Sequence, residues 1–148
     1  MDLYVANDFG GRNNLYRNVG GRFVDVAPSN GTQDQAFSMS ASWGDYNQDG
    51  RMDLYVGNMF SSAGNRITFI DKFMKNRPDM KAMAQRFARG NTLFKNQGNG
   101  NFTDVSTDAA ITVGRWAWSS QFLDINNDGL EDVFVANGYI TTDDTGDL

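Results

Sequence analysis

Short runs of alternating and clustered hydrophobic residues recur along this chain in a fixed order. One alternating run places Phe37, Met39, Ala41 and Trp43 on one face, and a second does the same with Trp116, Trp118, Ser120 and Phe122. Period-2 alternation over seven or eight residues predicts strands with one well-buried face. The tryptophans are therefore read as core packing, with an exposed binding platform as the alternative. Each run leads through an acidic stretch into a β-branched, aromatic-rich hexamer, Asp53-Leu-Tyr-Val-Gly-Asn58 or Asp132-Val-Phe-Val-Ala-Asn137. These also predict strands. Asp2-Leu-Tyr-Val-Ala-Asn7 is a third copy.

Two further strand patterns follow. Asn14-Leu-Tyr-Arg-Asn18, a Gly pair and Arg22-Phe-Val-Asp-Val26 are matched later by Thr92-Leu-Phe-Lys-Asn96, a Gly-rich turn and Asn101-Phe-Thr-Asp-Val105. Gly-rich links of this length are hairpin chemistry. Four short strands per unit, repeated, predict an all-β fold of four-stranded antiparallel β-propeller blades. The expected inventory is three strands of one blade, four of the next and two of a third. Because the text opens mid-repeat, residues 1–148 are expected to be part of a larger propeller.

The repeat length is uneven, 51 residues from Asp2 to Asp53 and 79 from Asp53 to Asp132. Asp2 to Leu15 spans 13 positions, whereas Asp53 to Leu93 spans 40, so about 27 residues are inserted between the second and third strands. The insertion, roughly residues 61–90, is the one helical text. Phe69, Ile70, Phe73 and Met74 form an apolar stripe; Met80, Met83, Ala84 and Phe87 form a second, with Asp79 and Gly90 where caps belong. Met80, Met83 and Phe87 are expected to be buried, with Lys81 and Arg86 in solvent. Residues 66–90 hold seven basic and two acidic side chains, against six basic and 16 acidic elsewhere. That positive charge either balances an acidic rim or forms a contact surface for an acidic partner or neighbouring subunit.

The acidic stretches carry the candidate chemistry. Asp45-Tyr-Asn47-Gln-Asp49-Gly50-Arg51-Met-Asp53 and Asp124-Ile-Asn126-Asn-Asp128-Gly129-Leu130-Glu-Asp132 put oxygen side chains at loop positions 1, 3, 5 and 9 and Gly at position 6. A hard cation such as Ca2+ takes six to eight oxygens, and a tight turn with alternate residues inward delivers them. The glycine permits the turn, and the carbonyls of Arg51 and Leu130 at position 7 are then available as ligands. Clustered carboxylates repel one another unless a cation sits among them. An EF-hand is excluded, because position 12 is Val56 or Val135 instead of Glu and strands follow the loops. The alternative is a metal-free turn held by Asx side chains. Two Ca2+ sites are the expectation.

With no His and no Cys, a Ser-His-Asp triad, a Cys nucleophile and a His- or Cys-ligated zinc site are all excluded. Asp25 and Asp104 recur in the repeat and read as structural, which leaves Asp8, Asp34 and Asp108 scattered. The chain is therefore read as a non-enzyme. Its net charge of −5, rising to −1 with two Ca2+, argues against nucleic acid as a partner. No apolar stretch is long enough to span a bilayer, and the absence of cysteines leaves the redox compartment undetermined.

The D-x-N-x-D-G-x-x-D loops with their following strand, the N-x-L-Y/F-x-N strand and the G-x-F-x-D-V strand together resemble FG-GAP/VCBS repeats, the repeats of integrin α-subunit propellers. The phrases Trp43-Gly-Asp-Tyr-Asn47, Asn58 to Arg66, Arg86 to Asn91 and Ala136-Asn-Gly-Tyr-Ile140 are similar to bacterial UnbV/ASPIC-type proteins related to cartilage acidic protein. The resemblance implies Ca2+ held by Asp45, Asn47, Asp49, the Arg51 carbonyl and Asp53, and by Asp124, Asn126, Asp128, the Leu130 carbonyl and Asp132. A Gly-Ala-Pro element is absent, and Leu123 stands where the first copy has Gly44. The implied role is a calcium-binding module for protein or glycan ligands and adhesion, placed outside the cell, at its surface or in the periplasm, where Ca2+ is abundant. Alternatives are a structural Ca-stapled scaffold segment and a non-catalytic part of a secreted carbohydrate-active or lipase-type enzyme. Open strand edges and apolar faces around Leu3, Tyr4, Trp118 and Phe134 imply self-association, or cover by remaining blades.

Overall fold

The computed structural model describes residues 1–138. Among the described residues, nine strands form three antiparallel sheets of three, four and two strands. The first holds β1 (Leu3–Val5), β2 (Asn14–Val19) and β3 (Arg22–Asp25), and a short helix α1 (Ala27–Asn30) follows it. The second, complete sheet is β4 (Ser38–Gly44), β5 (Asp53–Asn58), β6 (Thr92–Asn96) and β7 (Phe102–Asp104). The third pairs β8 (Ala117–Leu123) with β9 (Asp132–Asn137). Strand neighbours in each sheet follow chain order, the meander expected of a blade. Tyr139 and Ile140, which complete one of the family-like phrases, lie outside the described residues.

Two apolar layers hold the sheets together. Tyr4 and Leu15 of the first sheet and Ala27 of α1 pack on Leu54, Val56 and Phe94 of the second. The opposite face of the second sheet, Tyr55 and Leu93, packs on Phe122 of the third, with Tyr55 and Phe122 meeting edge to face at 6.1 Å. β5 is therefore buried on both faces over all six residues. Successive residues of a strand point to opposite faces, so Leu54 and Tyr55 serve different layers. Hydroxyls join the inner strands directly: Ser40 Oγ lies 2.7 Å from Ser120 Oγ, and Phe122 N–H donates to Ser42 Oγ.

Three expectations need correction. Tyr4 is buried, because it faces the second sheet, and its hydroxyl donates to the Thr32 carbonyl. Trp116 and Trp118 are exposed instead of serving as core. Ala41 is exposed instead of sharing a buried face, and each alternating run carries a register shift, between Ser38 and Ser40 and between Ala117 and Ser119.

The insertion is helical, as expected, but its first helix is displaced. α2 (Ser62–Thr68) starts where Ser61 Oγ accepts from Gly64 N–H, and residues 69–77 form turns. α3 (Pro78–Arg89) begins with Pro at its first position and Asp79 in its first turn, and Gly90 ends it at φ 94°. Arg86 is not in solvent; it forms an ion pair with buried Asp34. Among the described residues no helix is long and apolar enough to cross a membrane, which says nothing of β-barrels.

Candidate metal centre

Both acidic loops join the first strand of a sheet to the second, so β5 and β9 each begin on a loop's last aspartate. Their backbones share two left-handed positions. Position 4 is left-handed in both, Gln48 at φ 55° and Asn127 at φ 58°. Position 6 is Gly50 at φ 80° and Gly129 at φ 85°, a conformation that costs a side-chain-bearing residue but not glycine.

Hydrogen bonds repeat as faithfully. Asp45 Oδ1 and Oδ2 accept from Asp49 N–H and Gly50 N–H at 2.9 and 2.8 Å. Asp124 accepts in the same way from Asp128 and Gly129 at 3.1 and 2.9 Å. Asn47 Oδ1 accepts from Asp49 N–H, and Asn126 Oδ1 from Asp128 N–H. Asp49 and Asp128 accept from the N–H groups of Arg51 and Leu130. These nested Asx turns fix positions 1, 3 and 5 before any ion arrives.

The surroundings differ. In the first loop Arg51 Nη2 lies 2.5 Å from Asp49 Oδ2, and its Nε donates to the Asn96 carbonyl. In the second, Leu130 offers no cation, and Asn126 Nδ2 donates to Asp128 Oδ2 at 2.9 Å instead. The equivalent amide, Asn47 Nδ2, is buried with no acceptor. Asp53 is fully buried: Oδ1 accepts from Asn96 N–H at 2.7 Å, while Oδ2 has no partner. Burial, opposed by that hydrogen bond and reinforced by the charges of Asp49 and Asp45, raises the Asp53 pKa. Asp132 is half-buried and accepts from Ile125 N–H. The loops lie side by side, linked by a bond from Gln48 Nε2 to the Gly129 carbonyl.

The donor chemistry suits a hard cation: three carboxylates and an amide oxygen per loop, with one buried carboxylate oxygen of the first loop, Asp53 Oδ2, lacking a hydrogen-bond partner. The carboxylates do not, however, stand gathered as a cage. Among the described residues no three His, Cys, Asp or Glu side chains converge closely enough to hold a metal. Their oxygens are turned onto backbone N–H groups, Arg51 and Asn126.

Other repeated polar residues are structural. Asp25 Oδ1 accepts from Ala27 N–H, and Asp104 Oδ1 from Ser106 N–H, two residues on in each case. Asn13 and Asn91, both fully buried, accept the N–H of Asn7 and Asn58 at 2.7 and 2.9 Å. Their recurrence just before Asn14-Leu15 and Thr92-Leu93 was the sequence signal of that tie.

No curated protein matches the chain closely enough to count as a relative. The profile described as an FG-GAP-like repeat matches residues 1–56 and 78–135, taking in both acidic loops and all nine strands apart from the last two residues of β5 and of β9. Three meandering sheets, duplicated loops and that match agree, and the chain belongs to the FG-GAP-like repeat family.

Proposed function

We propose that this propeller-type repeat module binds Ca2+ at both acidic loops and uses the stiffened blades to present a surface to a protein or glycan ligand outside the cytoplasm. One observation carries the metal reading: Asp53 Oδ2 is buried without a partner in the field of Asp45 and Asp49, within a loop the chain builds twice. A divalent cation is the group that would relieve it. Asp45, Asn47, Asp49, the Arg51 carbonyl and Asp53 would hold one ion; Asp124, Asn126, Asp128, the Leu130 carbonyl and Asp132 would hold the other. Binding in place of catalysis is supported by a sequence without His or Cys. An extracytoplasmic setting suits low-affinity Ca2+ loops. The phrases around Trp43 and Asn58 support a nearer kinship with UnbV/ASPIC-type proteins within the family.

A second reading, a scaffold of metal-free Asx turns, is favoured by the backbone bonds that already satisfy most loop oxygens. Titration calorimetry on chelator-stripped protein separates the two. Two Ca2+ per chain, abolished by Asp49→Ala with Asp128→Ala, is the expected result; a stoichiometry near zero leaves the scaffold.

A further inference from the structure

The tip of the helical insertion carries a feature that the repeat does not explain. Residues 57–77 fall outside the family match. Within them Ile67, Phe69, Ile70 and Met74 are 50, 64, 53 and 41% exposed, bulky apolar side chains on the surface of a chain of mean hydropathy −0.51. Interleaved with them are Arg66, Lys72, Lys75 and Arg77, all exposed and, among the described residues, in no ion pair. Asp71 and Asp79 are the only acidic residues from 66 to 90.

This exposure follows from how the insertion is mounted. The insertion's side-chain anchors to the blades cluster on the last turn of α3: Arg86 pairs with Asp34 and Arg89 with Asp104, and Phe87 packs on Phe37 with rings tilted and centres 5.2 Å apart. Along the rest of its length α3 packs chiefly on α2, and no strand lies extensively against it. Twelve helical residues rise about 18 Å, so the 69–77 turn stands roughly one helix length from its anchor. The acidic loops lie at the other end of β5, about 17 Å below the base of the insertion. Both distances exceed the Debye length of about 10 Å at 0.1 M salt, so an anionic surface at the tip scarcely feels the acidic end.

We propose that this tip docks the protein on an anionic lipid surface. Ile67, Phe69, Ile70 and Met74 would enter the headgroup boundary, while Arg66, Lys72, Lys75 and Arg77 pair with lipid phosphates. Exposed apolar bulk interleaved along the segment with cations, projecting from an otherwise acidic body, matches an interfacial membrane contact. A uniformly polar polyanion, such as an acidic polysaccharide or a polyacidic peptide, would be matched by the cations alone and leaves the four exposed apolar side chains without a role. The inference does not rest on the metal reading.

Vesicle flotation with the whole chain tests it, using phosphatidylcholine vesicles with and without 30% phosphatidylglycerol, in chelator and in Ca2+. The expected result is association with the anionic vesicles alone, equal in both buffers. Phe69→Ser with Ile70→Ser abolishes it, and Lys72→Gln, Lys75→Gln and Arg77→Gln together lower partitioning on the order of 100-fold, at about fivefold per cation. These side chains are exposed, so circular dichroism melts of both variants should match the unsubstituted protein. The proposal is overturned if anionic vesicles bind nothing, if the Ser variant binds as well as the parent, or if association needs Ca2+, which would assign it to the acidic loops. Retention on polyglutamate without vesicle binding would equally overturn it, in favour of an acidic macromolecule.

Discussion

The loops at 45–53 and 124–132 share a backbone path and a hydrogen-bond scheme, yet the same carboxylate oxygen is covered differently in each. Asp49 Oδ2 is met by the Arg51 guanidinium, and Asp128 Oδ2 by the Asn126 amide. The first loop thus carries its own cation, closes over a fully buried Asp53 and is tied to Asn96; the second is open to solvent and ends on a half-buried Asp132. Local sequence dictates the turn, while neighbouring strands dictate how strongly the turn's charges interact. β6 supplies Asn96 to the first loop, and no third strand reaches the second among the described residues.

The comparison breaks most sharply on metal removal. If both loops bind Ca2+, saturation to about 100 times the dissociation constant adds about 2.7 kcal/mol of stability per site. Melts in Ca2+ and in chelator should differ accordingly, and Asp49→Ala with Asp128→Ala should erase the difference. Identical midpoints in the two buffers would mean that both loops are metal-free turns.

Next in size is the contrast between the loop-closing aspartates. Asp53→Ala leaves the Asn96 N–H without its acceptor in a buried setting and should cost about 1–3 kcal/mol in chelator. Asp132→Ala releases an exposed Ile125 N–H to water and should cost under about 1 kcal/mol. Urea titrations measure both. Equal costs would show that the two loops are held alike.

A smaller change converts one loop into the other. Arg51→Leu removes a half-exposed ion pair worth at most about 1 kcal/mol and frees Asp49 Oδ2 for Asn47 Nδ2, the second loop's arrangement. Ca2+ affinity at the first loop should then rise severalfold toward that of the second. No change in the calorimetric isotherm would rule out the guanidinium as a competitor for the site.

The smallest effect concerns pH. Asp25 is held below the usual carboxylate range by the Asn14 amide and the Ala27 and Leu15 N–H groups. Asp104 is held low despite burial, through Ser106 and Arg89. A depressed folded pKa contributes stability that is present above the unfolded value and lost as pH falls through the folded one. Asp53 is shifted the opposite way, so its ionisation opposes the metal-free fold as pH rises. Acid titration of Asp104→Asn should show a shallower loss below about pH 4 than the parent; an unaltered curve would remove Asp104 from the balance.

Much of this was legible in the chain. Alternating runs, repeated hexamers and Gly-rich hairpins located the nine strands of the described residues, and unequal spacing between Asp2–Leu15 and Asp53–Leu93 located the insertion. What escaped depended on distant partners. The Phe69–Met74 stripe reads as a helix, but Ser61 caps a helix that begins earlier, and Gly64 lets it approach Ala88, which a Cβ would meet at 2.9 Å. Arg86 falls on a polar helical face, and nothing local announces Asp34, 52 residues away. At the site, spacing gave the ligand types and turn geometry, whereas the roles of Arg51 and Asn126 depend on side-chain packing that period and composition do not encode.

The asparagine tie at the base of the insertion has a consequence for how such blades change over time. Asn7–Asn13 spans five intervening residues and Asn58–Asn91 spans 32, yet both gaps end in the same hydrogen bond. The longer closure costs only about 1.6 kcal/mol more entropy, so the blade is a permissive graft point. Arg86 then makes the graft hard to undo. It neutralises Asp34, which is buried beside Asn58 and Thr92, and excising residues 59–90 would strand that carboxylate inside the protein. The insertion is thus cheap to close yet hard to remove, and a working deletion must replace Asp34 at the same time.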